Sequence, residues 1–450
     1  MRILVLGAGE VGREVARLLS SEDHDVTVVD QEAEALTFIS SRLDVLTVQG
    51  NGTSVDVLRE AGIEETDMMI AVTSVDEVNI IACMMAARMG VETTIARIRS
   101  GDFTGRGSVL KATDLGISLV IHPEESTAND IVRLLRRASA TDVLQLADGR
   151  MLLMGLRVMP ESSIVGRRLS ELDEVMPDFA FRIAGISRGI RTILPRGNER
   201  VVQNDQIFLL AASEDCSRIV REMGHREAQI RDVMIFGGSS VGANAAHQLS
   251  QNRKMRVKLI EPDRERAEHL AEQLPDVLVI HGAASDLDLA VAEGIAEMDA
   301  FVAIRDDEAS NLVSCLMAKH LGVHKTVALL SNAAYVPISQ RIGIDAAVNM
   351  KLSVSKEILR FLRGNHVLSV ATVHGLNAEV LELRAEAGSK VTKSPLRKLS
   401  IPHGVLLGAR VSDHEIEIAT GETQVEAGDR VIVFALPKRV KEIEKMFSVV

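Results

Sequence analysis

Short apolar runs alternate with amphipathic stretches along the first part of the chain. The runs fall at 3–6, 26–29, 45–48, 68–72, 93–98 and 119–121. Between them apolar residues recur at helical spacing, as in Val11, Val15, Leu18 and Leu19, which share one helix face. Strands that are apolar throughout must be covered on both sides, so this alternation predicts a parallel sheet between two layers of helices. The pattern returns at 233–236, 257–260, 277–280, 300–304 and 326–330. Residues 141–225 and 366–450 read differently, as short alternating strands broken by Gly, Pro, Asn and Asp. Each of these back parts predicts a small α+β lobe, and a helix (Ala128–Ala138, then Val354–Arg363) precedes each one.

The chain is therefore a duplication. Gly7 corresponds to Gly237, Asp30 to Glu261, Gln49-Gly50 to His281-Gly282, Asp76-Glu77 to Asp307-Glu308, and Met89-Gly90-Val91 to Leu321-Gly322-Val323. Ordered landmarks with an offset drifting by only a residue or two mark one fold repeated, with changes in loop length. In the back parts Gly197 and Asp205 match Gly421 and Asp429. The expected lobes are 1–138, 141–225, 231–363 and 366–450, with the polar joint between copies at 224–231.

The first apolar run leads into Gly7-Ala8-Gly9-Glu10-Val11-Gly12, and Asp30 ends the next run. A strand before the glycines, a helix after them and an acidic residue 23 positions beyond Gly7 make up the Rossmann-type nucleotide-binding pattern. Gly7 permits the tight turn, Gly9 lets a pyrophosphate approach the backbone, and Gly12 lets the helix pack closely. The helix start offers free N–H groups and the positive end of its dipole. Asp30 is placed to bond a ribose hydroxyl, and Gln31 supplies no cation for a 2′-phosphate, so NAD(H), ATP, ADP or AMP fits better than NADP. Thr73-Ser74 follows the fourth run at the carboxyl edge of the sheet, as a ligand contact or a helix cap. Arg97 stands at the end of the fifth run, available to phosphate oxygens or to a surface ion pair. Without a ligand, the glycine loop is a tight turn and Asp30 a turn residue. Asp76-Glu77 suits the first turn of a helix better than a metal.

The second copy departs from this pattern. Its loop is Gly237-Gly238-Ser239-Ser240-Val241-Gly242, so a serine stands where the first copy has Gly9. Its Cβ crowds the phosphate approach, while its hydroxyl offers a hydrogen bond. Glu261 keeps a ribose acceptor, Ile304-Arg305 replaces Thr73-Ser74, and Leu329 replaces Arg97. The second site either binds a nucleotide more weakly or differently, or binds none.

Composition narrows the function. The formal net charge of −12 repels nucleic-acid phosphates, and with no Trp and a single Tyr there is no base-stacking platform. Three scattered cysteines form no CxxC pair, which fits a reducing compartment without disulfides or a zinc site. The chain enters a strand directly after Met1-Arg2, unlike a signal peptide, and no apolar run approaches membrane-spanning length. An oxidoreductase needs an acid/base group beside the cofactor. Tyr335 lacks Tyr-x-x-x-Lys spacing, His122 precedes a proline in a loop, and no GxxxxGK[ST] loop is present. A NAD-dependent oxidoreductase with an unidentified substrate is the alternative to a sensor. A scaffold with both glycine loops empty is a third reading.

The order and spacing of the motifs carry a resemblance. They run from Ile3–Gly12 through Val29-Asp30, Asp76-Glu77-Val78-Asn79, Ile95-Ala96-Arg97-Ile98-Arg99, Ile121-His122-Pro123-Glu124 and Ala147-Asp148-Gly149. Gly166-Arg167-Arg168-Leu169, Leu194-Pro195-Arg196-Gly197 and Gly428-Asp429 complete the set. Over nearly its whole length the chain resembles the TrkA family of Trk potassium-uptake regulators, built from two tandem RCK units. The glycine-rich stretch Ser100–Gly107 stands where that family has a plainer helix start. The resemblance implies a cytoplasmic regulatory subunit without catalysis, assembled as a ring, commonly a homo-tetramer. It also implies docking beneath a membrane-embedded Trk-type potassium translocation subunit. NAD(H), ATP or ADP in the N-lobes would then bias the ring and gate ion flux.

Overall fold

The computed structural model describes residues 1–450 except 23, 100–110, 190, 196, 226–228, 283–286, 333–334, 363–366, 373–375, 377, 413–414 and 450. The glycine-rich stretch 100–107 thus lies outside the described residues, as do parts of the joint at 224–231. The chain forms two compact units, one of Met1–Ser126 with Met350–Phe361, the other of Thr127–Asn349 with Leu362–Val450.

The first unit is built on β1 (Arg2–Leu6), β2 (Asp25–Asp30), β3 (Leu46–Gln49), β4 (Met68–Ala71), β5 (Thr93–Arg97) and β6 (Leu119–Ile121). They pair in the order β3-β2-β1-β4-β5-β6, all parallel. Ile3 to Leu6 are buried, as expected of a central strand covered on both faces. Helix Glu10–Ser21 packs Val11, Val15 and Leu19 inward, and Leu18 lies half-buried beside them. The chain leaves β1 in one direction to reach β2 and returns on its other side as β4. The loops after β1 and β4 therefore diverge and open a crevice at the carboxyl edge of the sheet.

The helix expected at 354–363 runs Met350–Leu362, and its residues 350–361 belong to this first unit. Lys351 pairs with Glu10 of the glycine loop at 3.2 Å, and Glu357 accepts a hydrogen bond from Ser126. The helix expected at 128–138 begins earlier, at Pro123, and ends at Arg136. Proline needs no N–H partner in a first helical turn, and Glu124 and Glu125 suit the dipole there, so the proline opens the helix.

In the second unit β12 (Asp232–Phe236), β13 (Arg256–Glu261), β14 (Leu278–His281), β15 (Ala300–Ala303), β16 (Lys325–Leu329) and β17 (Ala346–Val348) repeat the same parallel order, β14-β13-β12-β15-β16-β17. Strand β17 has no counterpart in the sequence reading, because three small residues carry no periodic signal. The back parts form antiparallel sheets of matching topology. β7 (Asp142–Leu146), β8 (Met151–Arg157), β9 (Phe181–Arg188), β10 (Arg191–Ile193) and β11 (Gln206–Ala212) run β10-β9-β11-β8-β7. β18 (Val367–Thr372), β19 (Glu379–Arg384), β20 (Val405–Val411), β21 (Ile416–Ile418) and β22 (Arg430–Ala435) run β18-β19-β22-β20-β21, the same path read from the other end. The two sheets share one core in which Leu153, Phe208 and Leu210 meet Leu376, Val380 and Phe434.

Candidate functional site

The crevice in the first unit is a cavity of about 850 Å³. Its wall gathers Gly7, Ala8, Gly9, Glu10 and Val11 from the first loop, Asp30 and Gln31 from the end of β2, Thr73 and Ser74 after β4, and Arg97 at the end of β5. Residues predicted from four separate stretches of sequence thus converge on one space.

The glycines of the loop have different work. Gly7 has φ +106°, a conformation that L side chains rarely adopt. Gly12 faces the Gly7 carbonyl so closely that a Cβ would lie 1.8 Å from its oxygen, which lets the helix begin directly against the turn. At Gly9 a Cβ would meet nothing within 4 Å among the described residues, none of which demands a glycine there. The open space lies over the N-terminus of helix Glu10–Ser21, whose Gly9 N-cap makes no side-chain cap bond, so its first N–H groups are available to an anion.

Asp30 fixes this loop to β2. Its Oδ2 accepts from Ala8 N, and its Oδ1 from Glu32 N at 2.9 Å. Glu32 and Glu34 line the cavity beside Gln31, so the ground beyond Asp30 is acidic and hostile to a 2′-phosphate. Thr73 does not cap the following helix: the N-cap of Asp76–Arg88 is Val75, without a side-chain cap bond. The Thr73 hydroxyl instead donates to Asn79 Oδ1 at 2.7 Å, and the same oxygen accepts from Thr73 N at 2.9 Å. Asp76 lies in the first turn of that helix, as expected, and also accepts from the Arg99 backbone N–H at 2.8 Å. Arg99 donates onward to the Ser74 carbonyl. Arg97 Nη2 meets Glu124 Oε1 at 2.5 Å, and both side chains are largely buried. Arg97 Nε and Glu124 Oε2 are buried without hydrogen-bond partners among the described residues.

Sequence reasoning passed over several residues of this site. Asn79 is fully buried and donates to the Arg97 carbonyl at 2.9 Å, tying the ends of β4 and β5 together. The signal for it was in the repeat: Asn311 is the matching residue, bonded to Arg305 N and to the Leu329 carbonyl, each at 2.9 Å. Phe38, Gly50, Gly52 and Met350 also line the cavity. Met350 lies far beyond the first copy in sequence, and no local pattern could point to it.

The second loop is built differently. Ser239 Oγ accepts from Gly242 N at 3.4 Å and so caps its own helix. Glu261 reaches back to Gly238 N at 2.6 Å and holds Asp263 N at 3.1 Å. A Cβ on Gly238 would stand 2.4 Å from Leu270 and 2.8 Å from Glu261, and Arg266 Nε donates to the Gly238 carbonyl at 2.8 Å. The Glu261 bonds repeat those of Asp30 in the first copy; the difference lies at Ser239, whose side chain occupies the position that Gly9 leaves open. Ser240 and Val241 begin the helix, and Gly237 repeats the positive φ of Gly7, at +109°.

Comparison with known proteins agrees with this duplicated architecture. The family model described as the TrkA-N domain matches residues 3–123 and again 233–350, and the TrkA-C domain matches 153–224. Over its full length the chain is 35% identical to 99% of "Trk system potassium uptake protein TrkA" from Halomonas elongata. The chain belongs to the TrkA family. The TrkA protein of Vibrio alginolyticus is 34% identical over the same extent, and a TrkA homologue of Methanosarcina mazei 32%. Among solved structures, the GsuK channel bound to NAD aligns with a TM-score of 0.62 at 19% identity, covering 99% of this chain and 78% of that one. The separate GsuK RCK domain aligns with the same score over 94% of its length. These structures establish the tandem RCK-type fold, two Rossmann-type sheets each followed by a small α+β lobe.

The cysteines play no part in this site. Cys83 and Cys315 donate to the carbonyls of Ile95 and Val327, each at 3.5 Å, and burial pushes the Cys83 thiol up to about 12 and raises that of Cys315. They are packing residues in equivalent places of the two copies.

Proposed function

We propose that this TrkA-family chain is the cytoplasmic nucleotide-sensing regulatory subunit of a potassium uptake transporter. NAD(H), ATP or ADP binds in the first N-lobe and biases the conformation of a homo-tetrameric ring. The ring docks on a membrane-embedded Trk-type potassium translocation subunit. The observation that carries this reading is the cavity of about 850 Å³ that joins the glycine loop, Asp30, Thr73, Ser74 and Arg97. The residues fit the ligand: free helix N–H groups and the open space at Gly9 take the phosphates, and the Arg97 guanidinium in the cavity wall supplies a cation for them. Asp30 has lone pairs left for a ribose hydroxyl beyond the two N–H groups it already accepts.

The lobes of this reading are 1–138 and 231–363 for the two N-lobes and 141–225 and 366–450 for the C-lobes. The second N-lobe serves mainly assembly, because Ser239 stands where the first copy has Gly9 and Leu329 replaces Arg97. Gating requires only that nucleotide bind one ring conformation better than another, and a tenfold preference corresponds to about 1.4 kcal/mol. No catalytic role is assigned. Regulation is tested by potassium flux through the cognate membrane subunit with this chain and ATP, ADP, NAD or NADH. A nucleotide-dependent change that Gly9→Asp abolishes is expected. Flux indifferent to all four nucleotides would overturn the proposal, and steady NADH oxidation with a carbonyl substrate would favour an oxidoreductase.

A further inference from the structure

A second cavity, of about 960 Å³, lies within the second unit between the first C-lobe and the second N-lobe. Residues of both lobes face it: Arg157 from β8, Lys325 from β16, Gln340 from helix Tyr335–Arg341, and Lys319 with Asp345. The lining sets Arg157, Lys319 and Lys325 against two carboxylates, Asp345 and the exposed Glu161. Lys319 is paired with Asp345 at 2.8 Å, and the second oxygen of that carboxylate also accepts from the backbone N–H and hydroxyl of Thr326. Asp345 is therefore fully engaged. Arg157 donates to the Gln340 carbonyl at 2.7 Å but has no carboxylate partner among the described residues. Lys325 is 1% exposed and donates to the carbonyls of Ala138 and Ala140, just past the end of helix Pro123–Arg136, again without an ion-pair partner among the described residues. Gln340 is 6% exposed, and its Nε2 has no hydrogen-bond partner among the described residues.

An unpartnered buried donor and two unpaired cations on one cavity wall are costly arrangements. An anion bearing several oxygens would satisfy all three at once. The surrounding field favours the same ligand. A neighbouring groove shares Ala138, Gly224 and His225 with this cavity and is lined by Arg136, Arg221, Arg231 and Lys254, with no carboxylate among its described lining residues. On a chain of net charge −12, such a cluster of cations is a local exception. Burial lowers the pKa of His225 in the shared wall, so its ring acts as a neutral hydrogen-bonding group.

We propose that this interlobe cavity is an effector site for a small polyphosphate-bearing molecule, separate from the nucleotide cleft of the first N-lobe, with Arg157, Lys325 and Gln340 as its phosphate ligands. Its position suits a regulator, because one ligand would bridge a C-lobe and an N-lobe. Ligand bound there would favour whichever arrangement of the two lobes keeps these groups together.

The test uses the full-length chain carrying Gly9→Asp, which removes the first nucleotide cleft from consideration, and inorganic tripolyphosphate as the probe in titration calorimetry. One site per chain is expected, weakened at least tenfold by Arg157→Gln and several-fold by Gln340→Leu. Arg157→Lys, which keeps the charge, should restore part of the affinity, and Glu161→Gln, which removes the exposed carboxylate of the lining, should not reduce it. Absence of binding at millimolar tripolyphosphate, in a chain whose circular dichroism and thermal midpoint match the wild type, would overturn the proposal. So would an affinity that Arg157→Gln leaves unchanged. Should Arg157→Gln fail to fold, Gln340→Leu decides alone, and unchanged affinity in that variant overturns the proposal as well.

Discussion

Arg97 Nη2 stands 2.5 Å from Glu124 Oε1 at the wall of the first cleft, and the Nε of that arginine faces no acceptor among the described residues. The pair is a competitor for phosphate: while Glu124 holds the guanidinium, a nucleotide must share it or take it. Glu124→Gln removes the charge that Arg97 now serves, so affinity for ADP or NAD should rise several-fold. Arg97→Ala should lower it by about tenfold to a hundredfold, the value of one or two charge-assisted bonds. Titration calorimetry on the full chain reads both. A loss of affinity in Glu124→Gln would show that the carboxylate positions the arginine instead of competing for it.

The two glycines of the first loop separate stability from binding. Gly12→Ala puts a methyl group against the Gly7 carbonyl oxygen at a distance no real contact allows, and backbone must move to admit it. A loss of about 3 kcal/mol or more is expected, seen as a lower thermal midpoint. Gly9→Ser copies the second loop, where Ser239 caps its own helix, so stability should stay within about 1 kcal/mol of wild type. Nucleotide affinity should fall at least tenfold, because the added side chain enters the space left for phosphate. Equal affinity in Gly9→Ser would mean that the phosphates do not approach this loop.

Much of this site was readable in the sequence, for a physical reason. Fully apolar strands and a glycine loop leave local signatures, so the runs at 3–6 and 68–72 located β1 and β4 and, with them, the crevice between their loops. Gly7 to Val11, Asp30, Thr73, Ser74 and Arg97 follow directly from strand ends. What stayed hidden depends on tertiary contact. Met350 reaches the first cleft only because helix Met350–Leu362 packs in the first unit, and Glu124 becomes the partner of Arg97 only across 27 residues. The role of Asn79 is equally non-local, although its repetition as Asn311 was in plain view. Strand β17 was missed because Ala346–Val348 is too short for any periodicity.

The Asn79 contacts make a second separation possible. Asn79→Ala strips partners from Thr73 N and from the Arg97 carbonyl, both part-buried. Leaving two such groups unsatisfied should cost about 2–4 kcal/mol. Asn311→Ala removes the same bonds in the second copy and should destabilise to a similar degree. Only Asn79→Ala should also weaken nucleotide binding, since Thr73 and Arg97 line the first cleft. Parallel thermal scans and ADP titrations of the two variants would distinguish them, and equal loss of binding in both would assign a nucleotide to the second loop.

Lys325 gives the chain a pH dependence of defined sign. Burial lowers its pKa from 10.5 to about 8, with Lys319 adding to the fall and Asp345 opposing it. Below about pH 8 the amine is charged in the folded and the unfolded chain alike, and the folded state bears the full cost of burying that charge. Between about 8 and 10.5 the unfolded chain still binds the proton that the folded chain has shed, so raising the pH favours folding. Above that range both forms are neutral and the effect is complete. The wild-type chain should therefore gain stability relative to Lys325→Met across this window, by an amount on the order of 3 kcal/mol. The comparison with Lys325→Met matters because other groups titrate at alkaline pH in both proteins and cancel. Calorimetric thermal midpoints at pH 7.5 and 9.5 suffice. A difference between the two proteins that is constant with pH would mean that Lys325 keeps its proton throughout, with the carbonyls of Ala138 and Ala140 outweighing its burial.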